Sequence, residues 1–291
     1  MPITVNSNIP SLNAQRNLGK ATLALSESYA KLSSGLRINK ASDDAAGLSI
    51  ADSLRADKRI AAVAIRNAND GISALNIADG AMNEISGLLA RMGELAEQAG
   101  NGILGDTQRT ALSKEFEALG AEIDRIAAVT EFNGRGLLAS GSITLQIGLK
   151  GTTDAGASQI TLQLKDVNAA GLGLETYIPT GVGGATNTGT AGESLKGEEE
   201  ARYALDAVKE AISTIAEIRG DLGSVQSRLA TTVTNLNVTK ENYSSAESQI
   251  RDVDVASEAA EMTRLSILQQ AGASILAQAN QQPALAVRLL G

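Results

Sequence analysis

Four groups of residues have the types and spacing that chemistry at a protein site requires. Asp43 and Asp44 are adjacent carboxylates, as general acid–base catalysis would use, but they stand where a helix is predicted to begin, and acids there stabilise the positive end of the helix dipole. Asp252 and Asp254 have the spacing that opens a calcium loop; the third acid, the central glycine and the closing glutamate are missing. Gly181, Gly183 and Gly184 follow no strand and open no helix, so they lack the setting of a nucleotide-binding loop. Asn237 to Thr239 and Asn242 to Ser244 match glycosylation sequons but fall on a predicted helix. With no cysteine and no histidine, the chain has no thiol nucleophile, disulfide, imidazole ligand or histidine-dependent triad. The residues therefore predict no catalytic group, no metal and no cofactor.

Composition narrows the class further. Lys and Arg total 25 against 33 Asp and Glu, a net charge of −8, with no basic block, which argues against nucleic acid as a partner. No apolar run reaches membrane-spanning length, and Met1 to Pro10 has neither the basic head nor the apolar centre of a cleaved signal peptide. Two Phe, four Tyr and no Trp are too few to build a thick globular core. Ala, Leu, Ile and Ser outside the middle suit thin helix-on-helix packing.

Heptad spacing supplies the elements. Val208, Ile215, Leu222, Leu229, Leu236, Tyr243 and Ile250 recur every seven positions and predict one long helix from about Glu198, roughly 75 Å long at 1.5 Å per residue. Its second seam position begins apolar at Leu205 and Ile212 and then turns polar at Arg219, Gln226, Lys240 and Glu247, Val233 excepted. The polar side is expected to face neighbouring subunits. Upstream, a first helix from an N-cap at Ser11 to about Ser34 carries Leu18, Leu25 and Leu32, with Ala21 and Tyr29 beside them, and ends at Gly35. A second, from about Ser42 to Ala99, repeats Leu54, Ala61, Ala68, Leu75, Met82, Leu89 and Ala96, with a further stripe of Ile77, Ile85, Leu88, Met92 and Leu95. The third places Leu112, Phe116, Leu119, Ile123 and Ile126 on one face, before an Asn133-Gly134 turn.

Between these flanks the period changes to two. Ile143, Leu145 and Ile147, then Ile160, Leu162 and Leu164, predict a β-hairpin with a polar tip at 151–158. Thr176 to Gly197, rich in Gly and Thr, reads as a surface loop or the stump of an outer domain. After a break at Arg251 to Asp254, a last helix from about Val255 carries Met262, Leu265, Leu268, Ile275 and Leu276 among glutamines, and Pro283 breaks it. The predicted class is mainly α: an elongated rod of long antiparallel helices with a hairpin region, the terminal helices paired at one end. Three regions follow. Residues 1–42 with 252–291 form a terminal helical domain, 43–175 with 198–251 the rod, and 176–197 a short variable segment. The terminal helices are too short and too rich in Ala, Ser and Gln to be stable alone, and are expected to order on association.

Several motifs, in order along the chain, resemble those of bacterial flagellins. They are Asn6 to Leu12, Leu32 to Asn39 followed by Asp43 to Leu48, Thr130 to Gly134, Leu145 to Gly148, Ser244 to Asp254, and Ala277 to Ala279 with Gln281 and Pro283 near Leu289 and Leu290. The resemblance spans residues 1 to about 175 and 198 to 291, so only a short centre separates the matching parts. It implies a structural subunit, not an enzyme, that self-assembles into the flagellar filament for swimming and is secreted through the flagellar type III apparatus. A hook–filament junction protein of the same terminal architecture is the alternative. Implied partners are further copies of the chain, the flagellar cap and hook–filament junction proteins, an export chaperone and, for some members, Toll-like receptor 5.

Residues for these roles are assigned by helix face and by motif. Self-assembly is expected of Leu18, Leu25, Leu32, Met262, Leu265, Leu268, Ile275 and Leu276. The rod core is expected to hold Leu75, Met82, Leu89, Phe116, Leu119, Ile215, Leu222, Leu229 and Leu236. The receptor motif matches in part at Arg91, Leu95 and Glu115, with Gly93 where the motif has a larger polar residue. The zinc protease found in the centre of rare flagellins is excluded here, because it needs histidine.

Overall fold

The structure, a computed structural model, describes residues 8–149, 151, 158–174, 195 and 197–290, with side chains as far as Gln281. The start of the Asn6–Leu12 motif, most of the hairpin tip and of the Gly/Thr-rich centre, and the side chains of Pro283, Leu289 and Leu290 lie outside the described residues. The chain is mainly helical. Its helices are α1 Ile9–Ser34, α2 Ala45–Ala99, α3 Asp106–Val129, α4 Glu198–Arg251 and α5 Val255–Leu290. Among the described residues, four strands lie between α3 and α4: β1 Glu131–Phe132, β2 Arg135–Gly136, β3 Gly141–Gln146 and β4 Gln159–Leu164. Two compact units result, Met1–Lys58 with Glu241–Gly291 (unit 1) and Arg59–Lys240 (unit 2). Both divisions fall inside the long helices α2 and α4, not at the breaks in the sequence pattern.

Local chemistry sets the helix ends. Asn8, not Ser11, caps α1: its side-chain oxygen accepts from the Ser11 N–H at 3.1 Å, and Pro10 occupies the first turn, where its missing N–H costs nothing. Gly35 closes the helix in the left-handed conformation (φ 72°). At the start of α2 the two adjacent acids divide their work. Asp44 accepts from the Gly47 N–H at 2.9 Å, while Asp43 accepts from the Lys40 and Asn39 N–H groups of the preceding turn at 2.9 and 3.0 Å. Those backbone donors, Lys40 foremost, hold the Asp43 carboxyl below its usual range. The pair is thus a turn-and-cap device, not an acid–base dyad.

Unit 2 is built on small side chains. Ala61, Ala68, Leu75, Met82, Leu89 and Ala96 of the α2 repeat are buried, as are Ile85, Met92 and Leu95 of its second stripe. Ile77, expected in that stripe, is exposed. From α4, Val208, Ile215, Leu222 and Leu229 enter the same core, with Ile218 beside them. The buried line of α3 runs Arg109, Ser113, Phe116, Gly120, Ile123 and Ala127. Leu112, Leu119 and Ile126 are therefore flanking residues, half-buried against the core and not its centre. Ser113 and Gly120 explain the offset, because small residues at the contact line let helix backbones approach closely and push the leucines to its edges.

The polar seam of α4 faces inward. Arg219 donates to Asp79 at 2.8 Å and Gln226 to Asn76 at 2.9 Å, both on α2. Glu247 is buried in unit 1, and Arg219, Gln226 and Lys240 are half-buried. At Arg219, Gln226 and Glu247 this corrects the expectation that this side meets neighbouring subunits, because residues of α2 supply polar partners within the chain.

Strands β1 and β2 turn through Asn133 and Gly134, both at positive φ (53° and 75°), as a two-residue hairpin requires. Strands β3 and β4 pair antiparallel, with Ile143 opposite Leu162 and Leu145 opposite Ile160. The hairpin seats on α2 at Gly71, where a Cβ would lie 2.4 Å from the Leu145 Cδ1, and Asn67 donates to the Gln146 carbonyl at 2.9 Å. Leu137, Leu138, Val167, Leu172, Leu174 and Leu195, in stretches with no helical or strand period, complete the core. Phe116→Ala is expected to cost about 3–5 kcal/mol and Leu119→Ala clearly less, read from urea unfolding followed by circular dichroism; equal costs would contradict the assignment of the α3 core line.

Candidate assembly surface

In unit 1, α1 and α5 pack antiparallel. Asn8 donates to the Ala279 carbonyl at 2.9 Å, Ser11 to Asn280 at 2.6 Å, Gln269 to Thr22 at 3.2 Å and Ser28 to the Glu258 carbonyl at 3.5 Å. Gly272 faces Leu18, and a Cβ there would lie 3.5 Å from Leu18 Cδ1, at ordinary contact distance. The apolar contact is thin: Ala14 and Leu25 of α1 and Leu265 and Ala279 of α5 are buried, with Leu18, Leu32, Met262 and Leu276 half-buried.

Opposite or beside this contact both helices present large apolar side chains to water. On α1 these are Ile9, Leu12 and Leu23, the last 69 % exposed; at 100° per residue they lie across the helix from Leu25 and Ala14. On α5 they are Val255, Ile267, Leu268 and Ile275. Tyr29, expected beside the buried stripe, is also exposed. Six of the eight residues expected to assemble, Leu18, Leu25, Leu32, Met262, Leu265 and Leu276, thus hold α1 to α5, while Leu268 and Ile275 face outward. Ile9, Leu12, Leu23, Val255 and Ile267 were not singled out in the sequence, because a heptad search follows one line per helix and these lie off it.

The breaks between helices are joined by backbone. Arg37 N–H donates to the Arg251 carbonyl at 2.6 Å and Val253 N–H to the Gly35 carbonyl at 3.1 Å, tying the turn after α1 to the turn before α5. Asp252 accepts from Ser248 at 2.6 Å and Asp254 caps α5 through the Ala256 N–H at 2.9 Å, so these acids serve helix ends. Near this junction Glu247 receives Lys58 at 2.6 Å and Arg55 at 2.8 Å. No group of three metal-binding side chains occurs among the described residues, and no helix there is long and apolar enough to cross a membrane.

Two family models match the chain, described as the bacterial flagellin N-terminal helical region over residues 5–142 and the bacterial flagellin C-terminal helical region over residues 205–290. The chain belongs to the bacterial flagellins. A flagellin of Halalkalibacterium halodurans is 41% identical over 286 residues, covering 98% of this chain and 99% of that one. Flagellin of Bacillus subtilis is 38% identical over 314 residues, covering 98% and 99%. A proposed flagellar hook-associated protein of Vibrio parahaemolyticus shares the fold alone, with 12% identity and a TM-score of 0.55 over 72% of this chain and all of that one. As a flagellin the chain is a structural subunit of the extracellular flagellar filament, the organelle of swimming, and not an enzyme.

Within this flagellin the partial receptor motif is engaged internally. Leu95 is 1 % exposed. Arg91 donates to Glu115 at 2.9 and 3.1 Å and to Glu94 at 2.8 Å, an exposed bridge from α2 to α3. Of the rod-core set, Leu75, Met82, Leu89, Phe116, Ile215, Leu222, Leu229 and Leu236 are buried and Leu119 half-buried.

Lys58, and after it Arg55, hold the Glu247 carboxyl below the ordinary glutamate range against the opposing pull of burial. The folded state binds this proton less readily than the unfolded chain. Its stabilisation is therefore complete above the unfolded glutamate pKa of about 4.3 and is lost as pH falls through the lower folded value. Glu247→Gln is expected to cost about 1 kcal/mol at neutral pH, limited by the partial exposure of Arg55 and Lys58. Amide exchange of unit 1 should show this difference from the unsubstituted chain at pH 7 and its disappearance in acid; a difference that persists at low pH would sink the assignment.

Proposed function

We propose that this flagellin polymerises by coupled folding and packing of its terminal helices, with the outward apolar lines of α1 and α5 buried against neighbouring copies. The observation that carries this is the pairing of a thin internal contact with exposed Ile9, Leu12, Leu23, Ile267, Leu268 and Ile275 on the same two helices. Helices joined by so few buried side chains are marginal in water, and burying each exposed leucine or isoleucine adds roughly 1.5–3 kcal/mol. Residues 1–42 and 252–291 then act as the assembling domain and 43–175 with 198–251 as the supporting helices. Leu268 and Ile275 contact neighbours directly. Leu18, Leu25, Leu32, Met262, Leu265 and Leu276 act indirectly, by holding α1 on α5.

On the route to the filament this reading includes the type III export apparatus, an export chaperone, and the cap and hook–filament junction proteins as partners. Recognition by Toll-like receptor 5 would have to use Arg91 and Glu115 from their surface bridge, since Leu95 is in the core. Leu23→Asp is expected to leave monomer helicity unchanged and abolish polymerisation, scored by sedimentation and electron microscopy after seeding. Filaments of normal length from this variant would refute the assembly role of that face.

A further inference from the structure

Arg109 is the one buried charged side chain among the described residues of unit 2, and neither the core nor assembly accounts for it. Its Nη2 donates to the Asn101 carbonyl at 3.3 Å and to Glu198 Oε1 at 3.4 Å, while its Nε has no hydrogen-bond partner. A guanidinium withdrawn from water with a donor unpaired is costly. What it faces is the peptide bond between Asn101 and Gly102.

An asparagine followed by glycine is open to cyclisation, because the glycine nitrogen can attack the asparagine side-chain amide with no Cβ to hinder it. The chain has two such pairs, Asn101-Gly102 and Asn133-Gly134, both exposed. They differ in what surrounds them. Asn101 Oδ1 accepts from the Ile103 N–H at 3.2 Å, which holds the side-chain amide over the Gly102 backbone and polarises its carbon. The Asn101 main-chain carbonyl accepts from Arg109 and, at 3.1 Å, from the Leu104 N–H. Both donors draw electrons from that peptide and make the Gly102 N–H more acidic. That N–H donates to no group among the described residues. The Glu198 carboxylate lies beside it, since a Cβ on Gly102 would be 2.8 Å from Glu198 Oε1. At Asn133 the side-chain amide has no hydrogen-bond partner among the described residues, and the pair serves only its hairpin turn.

We propose that the Asn101-Gly102 turn is a self-modification site, at which the folded chain converts its own asparagine to aspartate or isoaspartate. The Gly102 nitrogen forms a bond to Asn101 Cγ as its proton passes to Glu198. The Ile103 N–H stabilises the negative charge that develops on Oδ1, as an oxyanion hole does. Glu198 returns the proton to the amide nitrogen, the Cγ–N bond breaks, and ammonia leaves a five-membered succinimide. Water then opens either imide carbonyl, giving aspartate or isoaspartate. The net change is one water consumed and one ammonia released. It adds a negative charge beside Glu97 and Glu198 on a chain whose net charge is already −8. The reaction needs no partner and does not depend on how the chain assembles.

Asn133 is the internal standard for the test. The full chain is incubated at neutral pH, folded and in urea, and conversion at both asparagines is followed by peptide mapping with mass spectrometry. The ratio of conversion at Asn101 to that at Asn133 is expected to be about tenfold or more higher in the folded chain, the effect of one positioned proton acceptor or oxyanion donor at the least. A ratio that is equal in the two states, or lower in the folded chain, overturns the proposal. Glu198→Gln, in an exposed side chain, is expected to slow Asn101 by about tenfold and leave Asn133 unchanged, with helicity checked by circular dichroism. Unaltered conversion at Asn101 in this variant refutes the assigned proton path. Should the variant lose its helicity, the comparison of folded and urea-unfolded chain still decides the matter.

Discussion

Small side chains along α2 set the distance at which everything else in unit 2 packs. Ala61, Ala64, Ala68, Gly71, Ala74 and Ala78 are buried on this helix, and α3 answers with Ser113 and Gly120. Such residues allow interaxial distances near the lower end of about 8–10 Å. At that spacing there is little volume to fill, and Phe116 is the one fully buried aromatic side chain among the described residues. The aromatic poverty of the sequence is thus a packing requirement. It also fixes the hairpin, since Leu145 sits in the space that any side chain at Gly71 would occupy.

Helix existence and the main apolar lines were legible because a seven-residue repeat survives over dozens of positions. Val208 to Leu236 and Ala61 to Ala96 are buried as the repeat implied. Lost were features decided by contact geometry and not by period. The α3 line was displaced because Ser113 and Gly120 are buried on it, while the leucines flank it. Leu137, Val167, Leu172 and Leu174 enter the core from irregular backbone, which carries no periodic signal. The α1 contact face was not legible for a related reason: hydrophobicity at Leu25 and at Leu23 looks alike in sequence, and only the position of α5 decides which one faces in.

Polar pairing along α4 shows what the pattern concealed. A polar seam position was read as neighbour-facing because its partners on α2, Asp79 and Asn76, are unremarkable in sequence. Partly exposed pairs of this kind contribute only about 0.2–1 kcal/mol each. Their larger effect is discrimination. Sliding α4 by one heptad would set Arg219 against Ser86 or Ile72 and remove its carboxylate, whereas the apolar line would still find apolar partners. One polar match among degenerate apolar repeats is enough to specify register.

Burial is distributed unequally between the units, and this is the arrangement that a subunit made in one place and assembled in another requires. Unit 2 has a continuous core of leucine, isoleucine and methionine from three helices and the hairpin, so it can hold its form as a free chain. In unit 1, α1 and α5 share a narrow strip of alanine and leucine and leave Ile9, Leu12, Leu23, Ile267, Leu268 and Ile275 exposed to water. On the assembly proposed above, association supplies what the monomer lacks, and the free energy of ordering these helices is coupled to contact with the next copy. A stronger internal contact between α1 and α5 would stabilise the monomer and, by completing the pair in advance, weaken that coupling. The thinness of the strip is therefore consistent with its use: stability withheld from the monomer is available to the filament.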